Sequence, residues 1–391
     1  MIMITVTEAK QLLFSKVKTL DPVIYPLADS AGRVVAEDIK NPIDMPGFVQ
    51  SSMDGYAVSG FATDQLLSLQ DELPAGSNRS LTLQEGKAIK VFTGGPVPSG
   101  ATWVVQKEWV EERTDGIIIR QVKQEMGLNI RMPGSSVQKD AVVITKGTCL
   151  HAYQIAMLAS LGITHISVFP SPKIALIITG NELVKPGDIL EYGQVYESNS
   201  IGLTAALKQL GVNQIQIQWV KDNLAETKAA IEQTLPWADL ILLTGGVSVG
   251  DYDFVAAAAG QLGVNTIFHG VKQKPGKPLY AGQLNQKLIV GLPGNPSSVL
   301  HCFQQYVKPV IQLIMGMPMP LAQQAKMAHA YEKNNSLDFF VKASLQNGEV
   351  TILEGQASYQ VGAFSVANCW VELPAAESRF SKGQLVNVYL F

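Results

Sequence analysis

The chain has 391 residues, 47% of them hydrophobic and 16% charged, with 30 basic and 33 acidic side chains for a net charge of −3. Bulk disorder needs few apolar and many charged residues, so it is excluded. A slightly acidic balance disfavours a nucleic-acid partner held by phosphate neutralisation.

Residues 7–20, TEAKQLLFSKVKTL, place Ala9, Leu12, Leu13, Val17 and Leu20 at helical spacing, with Thr7 as the expected N-cap. Residues 22–40 read as short extended pieces, and Pro42 and Pro46 open a loop-rich stretch that runs to Gly60. From about 55 to 145, AIKVFTG, TWVVQKEWV, DGIIIRQVK and AVVITKG read as short strands separated by Gly, Pro and Asn, an all-β module. HAYQIAMLASL reads as a helix stopped by Gly162, and HISVF as a strand.

Beyond Pro170, strands and helices alternate. KIALIITG, NQIQIQWV, ADLILLTGG, TIFHGV and LIVGLPG read as strands, with helices between them and a long helix from Pro296. Such alternation predicts a parallel, doubly wound α/β sheet over 172–317. MGMPMP is a linker signal, and VTILEG, CWVELP and LVNVYLF in the tail predict a small β domain. Cys149, Cys302 and Cys369 are too scattered for a disulfide framework or a CxxC zinc pair. No apolar run reaches the roughly 18 residues of a membrane span. The start meets Glu8 too early for a signal peptide, so a cytoplasmic protein is expected.

Open α/β sheets bind ligands at the carboxyl ends of their strands, and four loops lie there. They are TGNEL, the turn with Lys221 and Asp222, TGGVSVGDYD, and LPGNPSS. Gly245 and Gly246, followed by Ser248, let backbone N–H groups approach an oxyanion; a plain tight turn is the competing reading. No Walker A or GxGxxG pattern is present. In KPGKP, two prolines and a glycine frame Lys274 and Lys277, which suits a multiply charged anion, against the plainer reading of an exposed turn. Glu182, Asp222 and Asp253 share this sheet edge and suggest a magnesium–phosphate site, or else N-capping and surface ion pairing. Asn295 is placed to cap the next helix, leaving the hydroxyls of Ser297 and Ser298 at its start. Asp54 in SSMDGYAV reads as part of a turn with Gly55, and Thr93 in FTGGPVPSG as part of a glycine loop.

SMDGYAV, FTGGPVP, TGNEL, GGVSVGDYD, KPGKP and GLPGNP, in this order, resemble the molybdopterin molybdenumtransferase family, the MoeA-type enzymes also found as the gephyrin E domain. The resemblance covers nearly the whole chain. It implies insertion of molybdenum from molybdate into adenylylated molybdopterin, with release of AMP and use of Mg²⁺. It implies four regions: an elongated N-terminal domain (1–40 and 140–171), an inserted β-rich domain (41–139), the α/β domain (172–317) and a C-terminal β-barrel (318–391). It also implies a homodimer with an active cleft shared between subunits, and molybdopterin adenylyltransferase as a candidate partner. Carried over, Glu182, Asp222 and Asp253 match the acidic positions, with Asp222 and Asp253 toward the metal. Lys274 and Lys277 match the molybdate lysines, Ser298 the serine after the PGNP turn, Ser358 approximately a serine near the oxyanion, and Asp54 and Thr93 functional positions of the inserted domain.

The chain departs from the family at two places. NIRMPGSS keeps Arg131 but has Ser135 and Ser136 where carboxylates are common. SLDFFVK has Ser336 and Val341 at arginine positions, with Lys342 one place late. Lysine cannot copy the bidentate grip of arginine, which bears on molybdate affinity. Two other functions compete: a divergent paralogue serving as a pterin- or nucleotide-binding dimeric scaffold, and a magnesium-dependent nucleotide pyrophosphatase.

Overall fold

The computed structural model describes residues 3–61, 63–120, 124–248, 254–319 and 321–391. The chain forms two compact units: Met1–Ala36 with Gly147–Ala152 and His165–Phe391, and Glu37–Lys146 with Tyr153–Thr164.

The first unit is built on a six-stranded sheet in the order Ile215–Val220, Ile174–Thr179, Leu240–Thr244, Lys287–Leu292, Tyr280–Leu284, Asn265–His269. The first four strands are mutually parallel. Alternate residues feed two cores, one per face. Leu176, Ile178, Leu242 and Val290 pack with Leu203, Leu207 and Val299 on one side. Ala175, Ile177, Ile241, Leu243 and Ile289 pack with Ala230, Ile231, Val255 and Ala258 on the other. Each buried Val, Leu or Ile side chain among them contributes about 1.5–3 kcal/mol, which explains the near-continuous apolar strand sequences. The expected α/β architecture is therefore present, with one addition. Tyr280–Leu284 forms an antiparallel hairpin with Lys287–Leu292. Its turn residues Asn285 and Gln286 both take positive φ, +49° and +71°. That is the two-residue hairpin geometry usually signalled by Asn-Gly, and glutamine hides it.

Two helix starts differ from expectation. The first helix is Val6–Phe14, and Thr5, not Thr7, caps it. Glu8 N–H donates to Thr5 Oγ1, while Thr5 N–H donates to the Glu8 carboxylate at 2.8 Å. Only Thr5 has a glutamate three residues on, so only there does a reciprocal capping box form. Asn295 does occupy the N-cap position of Pro296–Cys302, but its side chain makes no capping bond. That helix passes through a π-helical turn, Phe303–Val307, into Lys308–Ile314. Pro309 lies just beyond the turn, and its missing N–H removes one regular helical bond there.

In the tail, Asp338–Gln346, Glu349–Ile352, Gln323–Met327, Leu385–Leu390 and Cys369–Leu373 pair in sequence, and the last returns to the first. The result is a closed five-stranded barrel filled by Val341, Ala343, Val350, Val371 and Val388. A short strand, Gln273–Lys274, adds in parallel to Asp338–Phe339.

The second unit carries a six-stranded sheet in the order Trp103–Gln106, Gly55–Val58, Lys87–Val91, Leu66–Leu73, Gly116–Ile119, Val110–Arg113. Tyr56, Val58, Trp103 and Val105 fill one core, and Ala57, Ile89, Val91 and Val104 another. Gly55 opens a strand rather than sharing a turn with Asp54. A Cβ there would lie 1.9 Å from the Val105 carbonyl oxygen, so close strand approach requires glycine.

Candidate functional site

The carboxyl ends of Ile174–Thr179, Leu240–Thr244 and Lys287–Leu292 open into a cleft of about 850 Å³, within the range of about 300–1,000 Å³ typical of ligand pockets. Glu182, Asp222, Gly245, Gly246, Ser248, Lys274, Lys277, Asn295, Ser298 and Ser358 all line it. These are ten of the residues singled out from the sequence, drawn from six separate segments. Asp253 lies outside the described residues. Asp54 and Thr93 belong to the second unit.

Local geometry explains how each loop reaches the cleft. Gly245 and Gly246 have φ of +86° and +61°, and a Cβ on Gly245 would meet the Thr179 carbonyl oxygen at 2.7 Å. The glycine loop thus lies against the neighbouring strand end with no room for a side chain. His269 Nε2 lies 2.7 Å from the Val247 carbonyl and steadies the loop from the sheet edge. The TGNEL and Asp222 turns are locked together: Asn181 N–H donates to Asp222 Oδ2 at 3.2 Å, and Asp222 N–H donates to Asn181 Oδ1 at 3.3 Å. Asp222 therefore serves the loop as well as facing the cleft. Asn295, freed from capping, donates from Nδ2 to Ser358 Oγ at 3.2 Å. That bond joins the PGNP loop of the sheet to the barrel side of the cleft.

Lys274 and Lys277 are exposed, whereas Gln273, Pro275 and Gly276 are buried. Lys274 Nζ sits 4.9 Å from the Phe339 ring centroid. The turn therefore buries its frame and leaves both ammonium groups open to an anion. Among the described residues no group of three or more His, Cys, Asp or Glu side chains could hold a metal by itself. The two carboxylates of Glu182 and Asp222 in one cleft still fit Mg²⁺, which takes one or two carboxylates and completes its shell with substrate oxygens and water.

In the second unit Asp54 Oδ1 accepts from Thr93 N–H at 2.7 Å and from Thr93 Oγ1 at 2.8 Å. The Thr93 backbone N–H, then its hydroxyl, hold the Asp54 carboxyl below its ordinary value. The two motifs are thus one local unit on adjacent strands, since Gly55 pairs with Val91.

The substituted positions have plain structural roles. Ser135, Ser136 and Ser336 are exposed, and Val341 is in the barrel core. Lys342 does not replace an arginine in the cleft. Its side chain is fully buried, and Nζ donates to the carbonyls of Gln360 at 2.7 Å and Ala357 at 3.3 Å, flanking the Ser358 loop. Burial lowers its pKa.

Several cleft residues escaped the sequence reading. Glu197 is buried and accepts from Ser200 N–H at 2.7 Å. Asn199 Nδ2 donates to the Gly294 carbonyl at 2.8 Å. Both lie in the polar turn just before the predicted helix at Ser200, which reads as an ordinary helix start, so no sequence signal marked them.

Three family models match in chain order: the MoeA N-terminal region (domain I and II) at 4–162, a probable molybdopterin binding domain at 175–313, and the MoeA C-terminal region (domain IV) at 324–391. Molybdopterin molybdenumtransferase 2 of Mycobacterium tuberculosis is 32% identical, covering 98% of this chain and 99% of the relative. The molybdopterin molybdenumtransferase of Haemophilus influenzae is 34% identical, covering 93% of each. The crystal structure of a molybdopterin biosynthesis MoeA protein from Pyrococcus horikoshii superposes with a TM-score of 0.86 at 30% identity, covering 100% of this chain and 99% of that one. With the doubly wound sheet, the closed barrel and the lysine-framed cleft, this full-length similarity shows that the chain belongs to the MoeA family of molybdopterin molybdenumtransferases.

Proposed function

We propose that the protein transfers molybdenum from molybdate to adenylylated molybdopterin and releases AMP. The convergence of the glycine loop, the PGNP loop and both lysines of KPGKP in one cleft carries this reading. The bond that breaks is a phosphoanhydride, attacked by an oxygen of water or molybdate, so charge must be neutralised on the leaving phosphate and on the molybdate oxyanion. Lys274 and Lys277 do this as exposed ammonium groups on a buried frame. Gly245 and Gly246 admit phosphate oxygens to the backbone, and Asn295, Ser298 and Ser358 offer an amide and hydroxyls for orientation. Positioning and electrostatics carry such chemistry without a protein nucleophile. Mg²⁺, when bound, would supply positive charge at the leaving phosphate, with Asp222 and Glu182 of the cleft as holding residues and Asp253, expected from the sequence, beside them.

The reading includes a homodimer in which a second subunit contributes the Asp54–Thr93 pair, as the family resemblance implies. It also includes a cytoplasmic setting, supplied with substrate by molybdopterin adenylyltransferase. The free thiols of Cys149, Cys302 and Cys369 fit a reducing compartment. Among the described residues no helix is long and apolar enough to cross a membrane. The transferase names of full-length relatives at 32% and 34% identity weigh against a scaffold without metal insertion. The deciding experiment is molybdate-dependent AMP release from adenylylated molybdopterin by the purified protein. AMP release that ignores molybdate would point to a pyrophosphatase, and none at all to a scaffold.

A further inference from the structure

We infer that Gln273 and Tyr306 are positioning residues that fix the lysine turn from beneath, so that Lys274 and Lys277 meet the oxyanion as a set pair. The inference rests on the reading of these lysines given above. Gln273 is fully buried, directly before the turn. Its Nε2 donates to the Gly276 carbonyl at 2.9 Å, and its Oε1 accepts from the Tyr306 hydroxyl at 2.6 Å. The Gly276 carbonyl can only accept, which fixes the orientation of the amide. Burial raises the Tyr306 hydroxyl well above its ordinary value, so it remains a donor.

The turn is held at both carbonyls that define it. Gln273 takes that of Gly276, and Val271 N–H donates to that of Lys277 at 2.9 Å. The turn also lies directly on the helix below. Gly276 has φ +84°, and a Cβ there would be 2.4 Å from Cys302 Sγ. Lysine side chains are long and flexible, so two of them make a defined anion site only if their backbone is fixed. A buried amide that answers to Tyr306, 33 positions along the chain, fixes it in a way that apolar packing cannot.

The test uses the full chain with Tyr306→Phe, which keeps the ring, and Gln273→Met, which keeps the volume, beside Lys277→Ala. Molybdate binding is measured by calorimetry, and amide exchange is followed at Val271. Tyr306→Phe is expected to speed Val271 exchange and weaken molybdate binding about fivefold, the loss of one neutral hydrogen bond. Gln273→Met should weaken it roughly tenfold or more, since two bonds go. If Lys277→Ala weakens molybdate binding while both anchor variants bind like wild type, the positioning role is overturned. Lower melting temperatures with unchanged Val271 exchange and binding would likewise make the network purely structural. If Lys277→Ala binds as wild type does, the oxyanion reading of the turn itself falls, and the inference with it.

Discussion

Replacing Gly245 by alanine separates backbone strain from close approach. Gly245 has φ +86°, and its added Cβ would lie 2.7 Å from both the carbonyl oxygen and the hydroxyl of Thr179. Gly211, just past the helix Asn199–Gln209, has φ +76° and nothing within 4 Å of the same position. Holding alanine in the left-handed region costs about 1–2 kcal/mol at either site. The contact with Thr179 adds overpacking against a strand end, about 1–3 kcal/mol. Gly211→Ala should therefore destabilise by about 1–2 kcal/mol and Gly245→Ala by about 2–5 kcal/mol. Both lie in the same α/β domain, so urea titration followed by circular dichroism compares one transition in both variants. Gly245→Ala should also lose AMP release, because relieving the contact moves the loop out of the cleft. Equal midpoints for the two variants would refute the claim that the loop is fitted against Thr179.

Four further outcomes are expected. Lys277→Ala should weaken molybdate binding while changing stability by no more than about 0.5 kcal/mol, because the side chain is exposed; a large fall in melting temperature with unchanged binding would contradict this. Asp54 has a depressed folded pKa, so its bonds to Thr93 stabilise above the ordinary carboxylate range and are lost as pH falls through the folded value. Thr93→Val should raise the Asp54 pKa only partway, since the larger cause, the backbone N–H, remains; NMR titration of the carboxyl would show it. Asp222→Asn should remain folded and require more Mg²⁺ for turnover, and full activity after chelation would reject a metal role. Mixing inactive Asp54→Ala and Lys277→Ala proteins should restore roughly a quarter of wild-type activity if the cleft is shared across a two-fold dimer, and none if it is not.

Much of this molecule is readable from local pattern. The strand IALIIT and the glycine, lysine and PGNP loops are short segments whose period and turn residues announce their form. What escaped reading depends on residues far apart in the chain. Gln273 looks like a polar residue in a basic stretch until Tyr306 is brought beneath it. Lys342 looks like a displaced arginine until its strand pairs with Cys369–Leu373 and turns the side chain toward the carbonyls of the Ser358 loop. Asn295 satisfies every rule for a cap, yet Ser358, 63 positions later, offers a better placed partner. Such choices are settled by tertiary packing, which overrides local preference.

The short strand Gln273–Lys274 ties the lysine turn into the ladder of the barrel through Asp338–Phe339. The same turn is bonded to the α/β core through Val271 and Tyr306. The two cationic groups therefore sit where the barrel ladder meets the sheet, inside one compact unit. A tilt of the barrel against the sheet would shift Lys274 by its backbone and Ser358 by its loop at once. If these groups hold the oxyanion as proposed, grip on it and the angle between barrel and sheet are one mechanical variable. Core substitutions deep in the barrel then gain a route to the cleft without any residue there lining it.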